Sequence, residues 1–317
     1  MKRFVCLIAA AIAAAAISSE AKTLKVLYWN IQNGMWCGQY DNYDSFVGWV
    51  SAQEPDICIW CEGQTIYYTG TYDAMKKDER YLVGNWDELA SRYGHKYIYV
   101  GGHRDNYPQV ITSRYPITNV ERIIGDESQT VSHGAGWATI EVDGNVINIV
   151  TVHTWPQKYS FTAASGSKEE REASAKAFEG EFWRKAEVEH VCKNTILTAP
   201  DAAGELWLMA GDFNSVSRLD NRTYGFAADD PRLLTHDYIL ENTPYIDIVW
   251  KQNSDTFCPS TAWGKRIDFV YCTPALDEKC TEARIINDEY THQEKDSNVS
   301  SFYSPSDHLP VIAIFEL

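Results

Sequence analysis

The feature that most constrains this chain is a pair of short polar strings, each directly beside a hydrophobic run. Gly-Asp-Phe-Asn at 211–214 follows an apolar run at 206–210, and Ser-Asp-His at 306–308 precedes another at 310–315. Both runs have the length and apolar character of a buried strand. Carboxylate, amide and imidazole groups at strand ends are typical of metal-assisted hydrolysis, because oxygen ligands hold a hard cation and a His/Asp pair exchanges protons.

Strand-like and helix-like segments alternate along the rest of the chain. The predicted strands are 24–29, 56–61, 97–100, 109–112, 137–142, 146–152, 206–210, 267–272 and 310–316. The predicted helices are 44–53, 85–94, 167–193 and 230–241. The longest of them begins with a capping box at Ser167 and Glu170, and its predicted buried face is Ala173, Ala177, Phe178, Phe182 and Ala186. Such interleaving favours sheets packed under helices, with mixed strand directions.

Polar side chains recur at the ends of the predicted strands. Those that follow a strand are Asn30, Glu62, His153, Asp212 and Asn214. Those at the start of the last two strands are Asp268, Asp307 and His308. If the last two strands run antiparallel to the others, all these groups meet at one edge of the sheets. Folds with sheets and helices commonly place sites at such edges, so we predict a single site there.

The first 21 residues have the pattern of a secretory signal peptide. Lys2 and Arg3 precede an Ala-rich apolar run at 5–17, and the segment ends in a small residue, Ala21. The apolar run is too short for a stable membrane anchor. We therefore predict export of residues 22–317 as a single domain, to the periplasm or the extracellular medium, which the sequence does not separate.

The composition limits the partners of the chain. Asp and Glu number 44 against 28 Lys and Arg, a formal charge of −16. An acidic surface repels polyanions at long range, which disfavours a tight nucleic-acid binder. It does not disfavour a metal-dependent phosphoesterase that takes nucleic acid as a substrate, because bound cations reverse the field locally. We expect a monomer.

The cysteines do not indicate a metal or redox site. Cys58 and Cys61 lie three residues apart in a predicted strand, so they face opposite sides of it, and no second C-x-x-C is present. Cys272 and Cys280 could form a disulfide, but two free thiols are the favoured prediction for this pair.

Together the polar strings resemble the endonuclease/exonuclease/phosphatase superfamily, whose fold is shared by DNase I, neutral sphingomyelinases, apurinic endonucleases and inositol polyphosphate 5-phosphatases. The matching strings, in the family's order, are Trp29-Asn30, Glu54-Pro55-Asp56 with Glu62, Val152-His153, Gly211-Asp212-Phe213-Asn214, Arg266-Ile267-Asp268 and Ser306-Asp307-His308. The resemblance implies a four-layered α/β sandwich of two mixed β-sheets flanked by helices. It also implies hydrolysis of phosphoesters with Mg²⁺, with Mn²⁺ or Ca²⁺ as alternatives.

The resemblance further implies a role for each strand-end residue. Glu62 would be the principal metal ligand, helped by Asn30 and Asp307. Asp212 would orient or deprotonate the attacking water. Asn214 would hold a phosphate oxygen as charge grows there.

The histidines would act on either side of the phosphate. His308, oriented by Asp268, would stabilise the transition state or exchange a proton. His153 would assist at the leaving oxygen. Because apurinic endonucleases lack a histidine at the position of His153, that branch of the family is disfavoured.

Residues outside the matched strings are weaker candidates. The candidate substrate contacts are Arg104, Asn106, Asn221 and Arg222. The histidines predicted to be surface or packing residues are His95, His103 and His133.

These observations favour an exported, Mg²⁺-dependent phosphoester hydrolase, with nucleic-acid or nucleotide diesters as slightly favoured substrates. The alternative within enzymes is a phosphatase or phospholipid diesterase of the inositide or sphingomyelinase type. A more remote alternative is a non-catalytic binding protein on the same fold. That alternative predicts broken catalytic strings, whereas the strings of this chain are intact.

Overall fold

Two six-stranded sheets form the centre of the molecule. The structure, a computed structural model, describes residues 22–82 and 84–317, and the predicted signal peptide at 1–21 lies outside these residues. The strands are β1 (Thr23–Asn30), β2 (Ile57–Cys61), β3 (Tyr97–Val100), β4 (Val110–Ser113), β5 (Ile117–Gly125), β6 (Thr130–Val142), β7 (Asn145–His153), β8 (Leu206–Asp212), β9 (Ile246–Asp247), β10 (Asp268–Cys272), β11 (Cys280–Ile285), β12 (Glu294–Lys295), β13 (Tyr303–Ser304) and β14 (Val311–Glu316). One sheet has the order β11-β14-β1-β2-β4-β3 and the other β5-β6-β7-β8-β10-β9, while β12 and β13 form a separate hairpin.

Both sheets are mixed, and their last strands run in the direction that the predicted site requires. β1 is parallel to β2, and β7 is parallel to β8. β14 is antiparallel to β1, and β10 is antiparallel to β8. The carboxyl ends of the parallel strands therefore lie at the same edge of each sheet as the amino ends of β10 and β14, as predicted.

Helices cover the outer face of each sheet. The α-helices of the described residues are α1 (Gln32–Met35), α2 (Asp44–Gln53), α3 (Trp86–Arg92), α4 (Lys168–Lys176), α5 (Glu179–Lys193), α6 (Asn221–Tyr224), α7 (Leu234–Asn242), α8 (Ile248–Gln252) and α9 (Pro274–Asp277). α2 and α3 pack on the first sheet, and α5 and α7 pack on the second. The four layers, helix, sheet, sheet and helix, confirm the predicted fold class.

Strand alternation assigns side chains to the layers. Val26 and Tyr28 of β1 face the second sheet and share one core with Ile149 and Ala210. Leu27, which lies between them, and Trp29, which follows Tyr28, face the opposite way and pack in the core under the helices. Burying both faces of β1 explains why its sequence is almost continuously apolar.

The cysteines are consistent with this layering. Cys58 lies in the core under α2 and α3, whereas Cys61 lies in the core between the sheets. The two thiols therefore face opposite sides of β2, as predicted. Cys272 and Cys280 are both free thiols in the structure.

The predicted long helix is in fact two helices, α4 and α5. The capping box of Ser167 and Glu170 begins α4 as predicted. Phe178 then adopts a φ of 57°, which ends the helical path. Gly180 donates to the carbonyl oxygen of Lys158 at 3.0 Å, and a Cβ at position 180 would lie 2.6 Å from that oxygen. This close contact between distant parts of the chain fixes the start of α5. The sequence around residue 180 does not predict the contact.

The buried face of this region also differs from the prediction. Phe178 and Phe182 are 41% and 53% exposed, whereas Arg184, Glu187 and Val188 are buried. The break at Phe178 changes the helical phase, so the stripe counted from the start of α4 does not continue into α5.

Candidate active site

The polar strand ends converge on one cleft at the shared edge of the sheets. His153 ends β7, Asp212 ends β8 and Asp268 begins β10. The strand register pairs His153 with Asp212, and Asp212 with Asp268. From the first sheet, Asn30 ends β1 and Glu62 directly follows β2. All eight predicted strand-end residues are thus brought to the same edge.

A histidine–aspartate pair lies beside the cleft. His308 Nδ1 donates to Asp268 Oδ2 at 2.7 Å. Asp268 also accepts the hydroxyl of Ser260 at 2.7 Å and that of Tyr28 at 2.6 Å. Burial opposes a charge on His308, but the neighbouring carboxylates, Asp268 first among them, raise its pKa well above 6.5. This environment favours the protonated imidazole of His308, and its Nε2 remains for the cleft.

Asp212 lies between two histidines. Its Oδ2 is 3.7 Å from His308 Nε2 and 3.8 Å from His153 Nε2, and it accepts Asn30 Nδ2 at 3.0 Å. Its Oδ1 accepts the backbone N–H of Asn214 at 2.8 Å. Burial raises the pKa of Asp212, while burial lowers that of His153 well below 6.5. Asp212 is consequently a better proton acceptor near neutral pH than an ordinary aspartate.

Two further carboxylates, Glu62 and Asp307, line the same cleft. Glu62 accepts the backbone N–H of Asn33 at 2.7 Å and Asn30 Nδ2 at 3.4 Å. Burial, followed by the charge of Asp307, raises the pKa of Glu62 to about 7. A divalent cation would offset this repulsion, so the donor set fits a hard metal ion. Asn30 Oδ1 accepts the backbone N–H of Gln32 at 3.1 Å, which makes Asn30 chiefly a bridge between Glu62 and Asp212.

A second group of ligand atoms has metal-site spacing. One atom from each of Asp212, Asp268 and His308 lies within 4.8 Å of the others, and all three residues are buried. Asp268 already has three hydrogen-bond donors, His308, Ser260 and Tyr28. This group therefore suits proton transfer better than ligation, whereas Glu62 and Asp307 face the cleft.

The cleft has a volume of about 530 Å³ and an aromatic wall. The wall consists of Tyr67, Tyr107, Trp155, Trp263 and Phe302. Trp263 is 50% exposed, and its ring meets that of His308 edge-on at 5.7 Å. The sequence could not identify which of its many aromatic residues line the cleft, because these residues lie on loops far apart in the chain.

His133, predicted to be a surface or packing residue, is buried and packed, and it also lines the cleft, which the sequence did not predict. Its ring stacks on that of His153 with centroids 4.3 Å apart. β6 begins at Thr130, well before the predicted start at 137, and pairs antiparallel with β7. This added length carries His133 to the edge where β7 ends. A strand predicted from the start of β6 would have found it.

Three of the four candidate substrate contacts lie elsewhere. Asn106 lines the cleft, with its Nδ2 bonded to a backbone carbonyl of β6. Arg104 is exposed and lies outside the cleft. Asn221 is bonded through both side-chain atoms to the backbone of Phe226, and Arg222 donates to two backbone carbonyls. The structure thus corrects the prediction for these three residues: Arg104 lies outside the cleft, Asn221 bonds its own loop, and Arg222 bonds Ser254 and Asp255, which are distant in the chain.

Comparison with known families decides the class of the protein. The model of the Endonuclease/Exonuclease/phosphatase family matches residues 27–308. The chain belongs to this family. The matched range begins in β1 and ends at His308, so it includes every strand-end residue of the cleft. The protein is therefore a hydrolase that acts on phosphoester bonds, in a family whose enzymes depend on a divalent metal.

Solved structures share the fold at low sequence identity. An AP endonuclease from Archaeoglobus fulgidus is 16% identical, with 93% of this chain and 100% of that chain covered and a TM-score of 0.61. The 3′ phosphatase NExo from Neisseria, bound to a product DNA hairpin, is 18% identical, with 93% and 100% covered and a TM-score of 0.59. An endonuclease/exonuclease/phosphatase from Beutenbergia cavernae is 17% identical, with 93% and 72% covered and a TM-score of 0.56. None of the curated proteins matches the sequence.

Within residues 22–82 and 84–317, no helix combines the length and apolar character of a membrane span.

Proposed function

We propose that the protein is a Mg²⁺-dependent phosphodiesterase in which water attacks phosphorus directly. The observation that carries this proposal is the position of Asp212, whose Oδ2 lies 3.7 and 3.8 Å from the Nε2 atoms of two histidines. The neighbouring carboxylates raise the pKa of His308, whereas burial lowers that of His153, so the site favours a charged imidazole on one side of Asp212 and a neutral one on the other. Groups with pKa values pushed apart in one site are typical of acid–base catalysis.

The roles follow from the donors and acceptors of each group. Asp212 orients the attacking water and accepts its proton. Asn214 uses one amide hydrogen on the carbonyl of Thr154 at 3.1 Å and has a second for a phosphate oxygen. His308, charged and oriented by Asp268, donates to the oxygen on which charge develops. His153 contacts the phosphate from the other side.

Glu62 and Asp307 would hold the metal ion, and Asn30 would fix the orientation of Glu62. When bound, the ion supplies positive charge that offsets the negative charge of the phosphate. Oxygen ligands favour Mg²⁺, and Mn²⁺ or Ca²⁺ would accept the same donors.

Relatives give limited support for the substrate class. The Neisseria structure contains a product DNA hairpin, which supports a phosphoester of nucleotide chemistry. The same protein is a 3′ phosphatase, which supports monoester cleavage as the second candidate activity.

We further propose that residues 1–21 are removed during export and that 22–317 function as one monomeric domain. The basic start and the Ala-rich run at 5–17 support this. N-terminal sequencing of protein recovered outside the cytoplasm should begin at Lys22, and a chain that retains Met1 would contradict export by cleavage. Light scattering should give the mass of one chain.

Hydrolysis by purified residues 22–317 tests the activity. We expect Mg²⁺-dependent cleavage of bis-p-nitrophenyl phosphate that exceeds cleavage of p-nitrophenyl phosphate, sphingomyelin and plasmid DNA, and that is lost with EDTA. Asp212→Asn should abolish it while the circular dichroism spectrum is unchanged. A preference for the monoester or for sphingomyelin would replace the diesterase proposal by the corresponding alternative.

A further inference from the structure

His133 is a buried imidazole without a hydrogen-bond partner among the described residues. It is 4% exposed, it lines the cleft, and neither ring nitrogen is bonded. Its ring stacks on His153 and meets Tyr107 edge-on at 5.4 Å. Burial lowers the pKa of His133 to about 4, so the ring is neutral and offers one donor and one acceptor. Because buried polar groups nearly always have partners, these two atoms are available to a bound molecule.

A buried carboxylate joins the backbone next to His133 to Trp155 on the same side of the cleft. Glu187 of α5 is fully buried and accepts the backbone N–H and the hydroxyl of Ser132 at 2.6 and 2.5 Å. Its other oxygen accepts the backbone N–H of Trp155 at 2.8 Å. Glu187 thus joins the residue before His133 to Trp155. This side of the cleft is therefore rigidly built, and it lies outside the strings that carry the catalytic residues.

None of the described residues that line the cleft is a lysine or an arginine. Proteins that bind single strands combine stacking aromatic rings with a cationic groove, and duplex binding likewise depends on Lys and Arg contacts to phosphates. The cleft has the aromatic rings but no lysine or arginine among its described lining residues, on a chain of formal charge −16. The local charge therefore opposes a polynucleotide.

We propose that the aromatic wall, with His133, is a subsite for one uncharged cyclic substituent, a sugar or a nucleoside, on a substrate with a single phosphodiester. This inference rests on the proposed function and narrows its substrate class. The cleft volume of about 530 Å³ lies in the range of small-molecule sites. Flat rings such as Trp263 stack on sugar or base faces. The amides of Asn106 and Gln157 at the same cleft suit hydroxyl groups.

Three phosphodiesters that share the same leaving group, p-nitrophenol, test the subsite. The p-nitrophenyl phosphates of methanol, thymidine (5′) and glucose (6-position) differ only in the retained substituent. We expect kcat/KM for at least one cyclic diester to exceed that for the methyl diester by about tenfold or more, as one added hydrogen bond and stacking contact would give. The preferred cyclic diester distinguishes a nucleoside from a sugar. Equal kcat/KM for all three would overturn the inference.

A single-stranded oligonucleotide tests the excluded class. We expect a lower kcat/KM per phosphodiester than for the preferred small diester. A higher value that falls steeply with salt would overturn the inference, because it would reveal phosphate contacts along a strand.

Variants identify the residues. His133→Ala and Trp263→Ala should lower the ratio of kcat/KM for the cyclic over the methyl diester by about fivefold to tenfold. His133→Asn keeps a hydrogen-bonding group and should retain part of the ratio, which separates binding from folding defects. Matched controls are His292→Ala and Phe182→Ala, both at exposed positions outside the cleft, and they should leave the ratio unchanged. An unchanged ratio in both cleft variants would refute the subsite.

Binding separates this inference from the proposed function. Trp155 and Trp263 provide a fluorescence signal in the cleft of Asp212→Asn, and the probes are thymidine 5′-monophosphate, glucose 6-phosphate and methyl phosphate. Tighter binding of a cyclic probe, lost in the double variant with His133→Ala, supports the subsite even if no diester is hydrolysed. Equal binding of all three overturns the subsite, whatever the activity.

Discussion

Two buried clusters, each with one cationic and two carboxylate side chains, lie side by side and differ in how completely their charges are paired. In the first, Arg266 donates to Asp220 at 2.7 Å and to both oxygens of Asp247 at 3.1 and 2.7 Å. In the second, His308 is bonded to Asp268, but its Nε2 is 3.7 Å from Asp212, which is too long for a hydrogen bond. In the first cluster all three charged groups are hydrogen-bonded to one another. In the second, His308 Nε2 and Asp212 are not bonded to each other and can contact a substrate.

Buried cationic and carboxylate side chains therefore stabilise the fold when all of them are paired with one another. They form a reactive site when some of them are left without a partner. A guanidinium has a fixed fork of donors that two carboxylates can satisfy. An imidazole has two nitrogens on opposite edges, so pairing one leaves the other. Arg266 precedes Asp268 by two residues, and Asp247 also caps α8 by accepting the backbone N–H of Trp250. The paired cluster therefore fixes the start of β10 and with it the reactive one.

The largest effect should come from the unpaired cluster. Asp212→Asn removes the proton acceptor, and we expect kcat to fall about 10³-fold, equivalent to about 4 kcal/mol. Steady-state kinetics with bis-p-nitrophenyl phosphate measures it, with thermal unfolding as the check on folding. Activity within tenfold of the wild type would mean that Asp212 is not the base.

Breaking the paired cluster should instead unfold the protein. Arg266→Met leaves two buried carboxylates without their cation, and we expect the free energy of unfolding to fall by about 3–5 kcal/mol. Urea denaturation measures this loss. Arg222→Met, on an exposed arginine of the neighbouring segment, is the control and should change stability by less than about 0.5 kcal/mol. A loss under about 1 kcal/mol for Arg266→Met would contradict the scaffold role.

Glu187 should make stability depend on pH. Burial raises its pKa from 4.5 to about 7, so the folded state binds more protons than the unfolded state between these values. The contribution of Glu187 to the free energy of unfolding is therefore fully present below about pH 4.5 and is lost as the pH rises through about 7. The total loss is about 3 kcal/mol. Glu187→Gln removes this slope, and unfolding at several pH values measures the difference. Parallel pH profiles for the two proteins would exclude a raised pKa.

A smaller effect should come from the edge of the reactive cluster. Tyr28→Phe removes one hydrogen bond to Asp268 while Ser260 and His308 remain. We expect a loss of about 1 kcal/mol in the free energy of unfolding. Calorimetry decides it, and Tyr28→Phe with wild-type stability would show that Asp268 does not depend on that hydroxyl.

The smallest effect should come from residues that the sequence suggested and the structure moved away from the cleft. Asn221→Ala and Arg222→Ala should leave kcat/KM within about twofold of the wild type, since Asn221 bonds the backbone of Phe226 and Arg222 that of Ser254 and Asp255, all outside the cleft. A tenfold rise in KM with unchanged kcat would show that these residues contact the substrate.

Much of the site could be predicted from the sequence because its elements are local. Asp212 and His308 adjoin apolar runs, and the strand period places such residues at the same edge once strand direction is fixed. Helix α2 was predicted with its bounds. The split between α4 and α5 could not be predicted, because it depends on the hydrogen bond from Gly180 to Lys158, some twenty residues away in the chain.

The amino-acid sequence by itself determined the layers of this protein and the polar side chains at their shared edge, because side-chain periodicity and strand-end polarity are properties of neighbouring residues. Only the tertiary structure decided which other residues line the cleft. Glu187 joins Ser132, the residue before His133, to Trp155, and Tyr28 reaches Asp268 from the opposite sheet. Such contacts join residues that are distant in the chain, and the free energy that fixes them arises from burial and from polar pairing that exist only after the sheets have packed.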